Sequence, residues 1–139
     1  MADILLVDDD DHLRTMLRVV LQRAGHTVQE ACDGNEAVAL FEQTTFDLMI
    51  TDLIMPGKEG LALILELRRR SNREMKIIAM SGGARIVDPE GYLDVAKGFG
   101  ASVSLQKPFS NQQLLDAVQE ALESGESMRA FPGRVLARS

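Results

Sequence analysis

Five short apolar runs alternate along this chain with segments of helical periodicity, and four of them lead into a chemically distinctive residue. Residues 4–7 (Ile-Leu-Leu-Val) are followed by Asp8-Asp9, residues 46–51 by Asp52, residues 75–80 by Ser81, and residues 102–106 by Lys107-Pro108. The remaining run, residues 27–31, alternates in polarity, which suits a more exposed place in a sheet. Strand–helix alternation with strands apolar on both faces calls for a parallel sheet covered by helices on both sides. Right-handed crossovers leave few topologies, and ligands are expected outside the carboxyl ends of the strands. Carboxylates, a hydroxyl and an ammonium should therefore meet on one sheet edge. That combination suits a divalent cation and a phosphoryl group.

Between the strands, Leu13, Met16, Leu17, Val20, Leu21 and Ala24 form the stripe of a helix packed on one side, with Asp10 or Asp11 as its cap and Gly25 as its end. Asp33-Gly34-Asn35 reads as a turn and helix start, after which Ala37, Val38, Leu40 and Phe41 point toward a core. Residues 61–70 read as a third helix whose terminal Arg68-Arg69-Arg70 suits the macrodipole. Residues 82–100 are irregular, with a helix-like piece at 92–97. A closing helix carries Leu114, Leu115, Val118, Ala121 and Leu122 behind a cap at Ser110 or Asn111. Five strands and five helices are thus expected in one domain over residues 1–123. From Gly125 the periodicity fails and Phe131-Pro132-Gly133 breaks any continuing helix, so residues 124–139, with Arg129, Arg134 and Arg138, read as a basic tail or linker stub.

A chain of 139 residues suits a single domain with one sizeable core. Its net charge of -6 argues against direct nucleic-acid or membrane-surface binding. One cysteine, Cys32, excludes an internal disulfide framework, and simple packing is its expected role. Asp3 stands where a signal peptide would be positive and no apolar run reaches membrane-spanning length, so a soluble cytoplasmic protein is expected.

Three clustered carboxylates repel one another, and a bare site would tend to hold extra protons. A hard dication removes that conflict. Mg2+, or Mn2+ in its place, fits Asp8, Asp9 and Asp52 better than zinc or iron does, since no His or Cys set converges. A carboxylate can also attack phosphorus to give an acyl phosphate. Asp52 is the best candidate, alone at its strand end before the loop Leu53-Ile54-Met55-Pro56-Gly57. Lys107 offers a positive charge, Ser81 a hydroxyl and Gly82 a backbone N–H to the phosphoryl oxygens. With Mg2+ and Lys107 opposite three carboxylates the formal charges cancel before an anion arrives. Taken singly, each acid is more ordinarily a cap or turn residue, and Asp10 and Asp11 are given that role. His12 and His26 read as surface residues without acid–base partners.

In these positions, over residues 3–123, the chain resembles the receiver domains of two-component response regulators. Asp8-Asp9 resembles the family's metal-binding pair, Asp52 with Met55-Pro56 and Gly60 its phosphoacceptor loop, Ser81 its phosphoryl-contacting hydroxyl, and Lys107-Pro108-Phe109 its lysine and following proline. The resemblance implies a flavodoxin-like α/β fold, doubly wound, with a five-stranded parallel sheet in the order 2-1-3-4-5. It further implies transfer of a phosphoryl group to Asp52 from a sensor histidine kinase or a histidine phosphotransfer protein. Mg2+ would be required, with the backbone carbonyl of Ile54 completing the protein ligands. Phosphorylation would draw Ser81 toward the phosphate and remodel the face of the fourth helix, fifth strand and fifth helix, a population shift biased by one charge change. The output would be an unidentified protein partner, met by a monomer or a weak phosphorylation-dependent dimer, unless the chain is a fragment of a longer regulator. No enzymatic activity is implied beyond assistance to its own phosphorylation and dephosphorylation.

Two departures stand out. Ser104 occupies the place of the usual aromatic switch residue, so the switch region here comprises Ser81, Tyr92, Ser104, Pro108 and Phe109. Tyr92, in an enlarged span between Ser81 and Lys107, is a candidate replacement, with helix packing an equal reading. Ile54 and Gly83 stand where the family uses polar side chains to orient water, which implies a long-lived acyl phosphate. An alternative is an aspartyl-nucleophile phosphatase of similar topology. That enzyme would need an acid–base aspartate two residues after the nucleophile, where this chain has Ile54, and a cap for which no insertion is large enough. A phosphotransfer intermediate in a relay is a further alternative.

Overall fold

The computed structural model describes residues 1–53, 60–70, 75–81 and 102–123, together with the backbone of the last helix to residue 130. Strands Asp3–Val7 (β1), Thr27–Ala31 (β2), Leu48–Asp52 (β3), Lys76–Ser81 (β4) and Val103–Gln106 (β5) form one parallel sheet in the order β2-β1-β3-β4-β5. The described helices are Asp11–Arg23 (α1), Gly34–Gln43 (α2), Gly60–Arg70 (α3) and Asn111–Ala130 (α4). This is the flavodoxin-like order that the resemblance implied. The helix expected at 92–97 lies outside the described residues.

Chain direction across the sheet reverses between β1 and β3. The first crossover moves outward to β2 and the second returns past β1, so the carboxyl ends of β1 and β3 open side by side at the switch point. Val7 pairs with Thr51, Asp52 with Met80, and Ser81 with Gln106, which brings residues 8, 52, 81 and 107 out on a single edge.

Successive strand residues point to opposite faces, and each face here is covered. Leu5, Val7, Met49, Ile77 and Ala79 pack with Ala37 of α2 and Leu63, Ile64 and Leu67 of α3. On the other face Ile4, Leu6, Leu48, Ile50, Ile78 and Met80 pack with Leu17 and Leu21 of α1 and Leu114, Val118 and Ala121 of α4. All five residues of β3 are buried, as befits the central strand.

Local signals set the helix ends. Asp10 is the cap of α1, its carboxylate accepting from the Leu13 N–H. At Ser110 the cap is reciprocal: Gln113 N–H donates to Ser110 Oγ at 3.0 Å and Ser110 N–H to Gln113 Oε1 at 2.8 Å. Gly25, at φ 100°, turns the chain out of α1 in a conformation that glycine adopts without steric cost.

Four sequence expectations need correcting. Met16 is 62% exposed although it lies in the apolar pattern of α1, because a residue one step from buried Leu17 sits about 100° around the helix. Cys32 is exposed rather than packed, since the edge strand β2 ends at Ala31 and the chain turns outward there. The backbone of α4 stays helical through Gly125 to Ala130, because extending an established helix adds one hydrogen bond per residue fixed. Fourth, His26 is half-buried and accepts the Ala2 N–H on Nδ1 at 3.0 Å.

Burial, and after it the positive amino terminus, lowers the pKa of His26, so the fold favours the neutral imidazole. The stability this contributes is present above the usual imidazole range and is lost as pH falls through the folded-state value. We therefore expect the urea midpoint to drop as pH falls from about 6.5, the ordinary value for imidazole. His26→Gln, which keeps an acceptor without titrating, should flatten that slope. A variant with the wild-type slope would refute the assignment.

Candidate functional site

The carboxyl ends of four strands deliver the side chains. Asp8 follows β1, Asp52 ends β3, Ser81 ends β4 and Lys107 follows β5. The Lys107 N–H donates to the Ser81 carbonyl at 2.6 Å, continuing the β4–β5 pairing by one residue, and the Lys107–Pro108 peptide is cis. Leu53 N–H donates to the Met80 carbonyl at 3.0 Å, and Thr51 Oγ1 to the Asp52 carbonyl at 2.9 Å, so the end of β3 is held from two sides.

At the edge, carboxylate oxygens of Asp8, Asp9 and Asp52 lie within 4.8 Å of one another. Asp8 and Asp52 are buried and Asp9 is half-exposed. Lys107 Nζ bridges the two buried acids, 3.1 Å from Asp8 Oδ2 and 3.2 Å from Asp52 Oδ2. Asp8 Oδ1 also accepts the Asp10 N–H at 2.9 Å. Burial raises the Asp8 pKa, outweighing the Asp10 N–H and Lys107, which both favour its charge; the charge on Asp52 raises it further. Burial opposes the charge on Lys107 as well, but Asp52 and Asp8 more than offset it, and the Lys107 pKa stands above the ordinary lysine range.

Three carboxylates against one ammonium leave two formal negative charges concentrated at this edge. An all-oxygen donor set of this charge fits a hard divalent cation such as Mg2+. Beside it, Ser81 Oγ is buried and has no hydrogen-bond partner among the described residues. A buried hydroxyl without a partner is costly, and an incoming oxygen acceptor would relieve that cost.

Of the residues expected from sequence, Asp8, Asp9, Asp52, Ser81 and Lys107 are thus brought together. Ser104 lies in β5 opposite Ala79, Pro108 is exposed, and Phe109 packs against the core layer shared by α1 and α4. Ile54, Met55, Gly82, Gly83 and Tyr92 fall outside the described residues. Two contacts at this edge had no signal in the sequence: the Thr51 hydroxyl on Asp52, and a bond from Arg14 Nη1 to the Asp8 carbonyl at 2.6 Å. Both depend on which backbone carbonyls a side chain happens to face.

The fold and edge together define a doubly wound domain with an acidic cluster and a lysine at the switch point. Residues 4–119 match the response regulator receiver domain family, and the chain belongs to that family. Receivers of two-component regulators act as phosphorylation-dependent signalling switches served by sensor kinases. Among curated relatives, a sensor kinase CckA of Brucella abortus is 38% identical over 88% of this chain, a match that takes up 13% of the kinase. A probable transcriptional regulator ycf27 of Cyanidium caldarium is 31% identical over 91% of this chain and 49% of its own length. The chain therefore spans about half, or less, of these relatives. The receiver domain of NtrX from Brucella abortus superposes with a TM-score of 0.80 at 29% identity, covering 88% of this chain and 100% of that one. Chemotaxis protein CheY4 of Vibrio cholerae gives 0.76 at 32% identity, covering 88% and 99%. Among the described residues no helix is long and apolar enough to cross a membrane.

Proposed function

We propose that Asp52 is the phosphoacceptor of this receiver. In the step inferred, an Asp52 carboxylate oxygen forms a bond to phosphorus as the P–N bond of a donor phosphohistidine breaks, and the imidazole leaves with the electron pair. Lys107 offsets charge on the phosphoryl oxygens, and the Ser81 hydroxyl donates to one of them, as would the Gly82 N–H. Asp8, Asp9 and Asp52, with the Ile54 carbonyl, would hold Mg2+, which when bound neutralises the oxygens of the transferring group. The carrying observation is the convergence of three carboxylates within 4.8 Å on an edge that also presents Lys107 and a buried Ser81 hydroxyl with no partner among the described residues. The donor would be a sensor histidine kinase or a histidine phosphotransfer protein, and the output a protein partner that recognises the phosphorylated state. Beyond assisting its own phosphorylation and dephosphorylation, the domain would catalyse nothing.

The test is intact mass after incubation with acetyl phosphate. One phosphoryl group should be gained with Mg2+ and none without it, and peptide mapping should place it on Asp52. An adduct on another residue, or none under any condition, would overturn the reading.

A further inference from the structure

We propose that Arg14 is a positioning residue for the acidic end of β1, and that Glu30 of the edge strand β2 holds Arg14 in place for that role. This deepens the Mg2+ reading above and rests on it. The β1–β3 pairing ends at Val7 and Thr51, and the next carbonyl, that of Asp8, is met by a side chain: Arg14 Nη1 donates to it at 2.6 Å. The other arms of the same guanidinium are also engaged, Nε with Glu30 Oε1 at 2.8 Å and Nη2 with Asp11 Oδ1 at 2.8 Å. One planar fork thus joins the end of β1, the first turn of α1 and the strand β2. The Arg14 side chain is only 14% exposed, and its bonds to Glu30 and to the Asp8 carbonyl are partly buried, whereas the bond to Asp11 lies at the surface.

Asp8 is consequently fixed at two levels. Its carboxylate is held by the Asp10 N–H and Lys107, and its main chain by Arg14 and by its own N–H to the Ala31 carbonyl at 3.2 Å. Asp9 is the next residue, so a shift of the Asp8 peptide moves both carboxylates.

Position, rather than charge, is the property Arg14 supplies. Glu30 faces two cations, since its Oε2 lies 2.6 Å from Arg18 Nε in an ion pair without a well-directed hydrogen bond. Arg14, Arg18, Glu30 and Asp11 together are formally neutral, two cations against two anions.

The experiment is calorimetric titration of the full chain with Mg2+, alongside urea unfolding without Mg2+. Loss of a residue that orients metal ligands typically weakens metal affinity by about 10- to 100-fold. We expect Arg14→Ala to fall in that range, Glu30→Ala to weaken affinity in the same direction, and Glu30→Gln, which keeps an acceptor for Nε, to recover most of it. Phosphorylation by acetyl phosphate should shift to higher Mg2+ concentration while its rate at saturating Mg2+ stays near wild type. A purely structural role would lower the urea midpoint and leave the Mg2+ affinity of the folded protein unchanged; that result overturns the proposal. If Arg14→Ala does not fold, Glu30→Ala decides by the same criterion. Failure of the wild type itself to bind Mg2+ would instead overturn the reading on which the proposal rests.

Discussion

Asp52→Asn should abolish the Mg2+-dependent phosphoryl adduct completely while leaving the unmodified domain at least as stable as wild type. An amide oxygen lacks the charge and nucleophilicity of the carboxylate, and among the described residues no other acid stands at the end of the central strand. Stability should not suffer, because the site is overloaded with negative charge. The charge on Asp52 is one of the causes that raise the Asp8 pKa, and removing it relieves that repulsion. Lys107 keeps its pairing with Asp8 at 3.1 Å, so no buried cation is stranded. Intact mass reads the first effect and urea unfolding the second. A persisting adduct would move the phosphoacceptor elsewhere, and a markedly less stable variant would mean that Asp52 is chiefly a structural partner of Lys107.

Gly60→Ala should destabilise the domain by about 3 kcal/mol, the upper end of what overpacking ordinarily costs. Gly60 opens α3, and its N–H donates to the Leu53 carbonyl at 2.8 Å. A Cβ there would run into the Asp52 carbonyl oxygen and lie 2.6 Å from Leu53 Cα and 2.9 Å from the Asp52 carbonyl carbon. All three are backbone atoms, so no side-chain rotation relieves the overlap. Helix propensity pulls the other way, since alanine is favoured over glycine by about 1 kcal/mol at an interior position and by less at a helix start. The steric effect should win, and the urea midpoint should fall. Because the displaced backbone carries Asp52, acetyl phosphate should also phosphorylate the variant more slowly. A midpoint equal to that of wild type would show that α3 can shift away at little cost.

These two residues differ in how readable they were. Asp52 is visible in sequence because a charged residue at the end of an apolar run has few structural reasons to be there, and its companions Asp8, Asp9, Ser81 and Lys107 repeat the pattern at other strand ends. Gly60 could be matched to a family motif, but the close approach of α3 to β3 that requires it is a tertiary fact.

What the sequence determined by itself is what short-range physics governs. Apolar periodicity marked the strands, and cap signals narrowed the helix starts to Asp10 or Asp11, to Asp33-Gly34-Asn35 and to Ser110 or Asn111, so the succession of elements was readable in the chain; the structure uses Asp10, Asp33 and Ser110. The strand order was not readable that way and rested on likeness to the receiver family. Only the tertiary structure decided which residues meet across long separations. Lys107 reaches Asp8 and Asp52 because sheet register aligns four strand ends; Arg14 meets Glu30 and the Asp8 carbonyl because α1 packs beside β2; His26 is half-buried against Ala2; and Met16 is left in solvent on a helix whose next residue is buried. The reason is common to all four. A local pattern specifies the conformation of a segment, whereas the neighbours of a side chain depend on how separately formed segments pack.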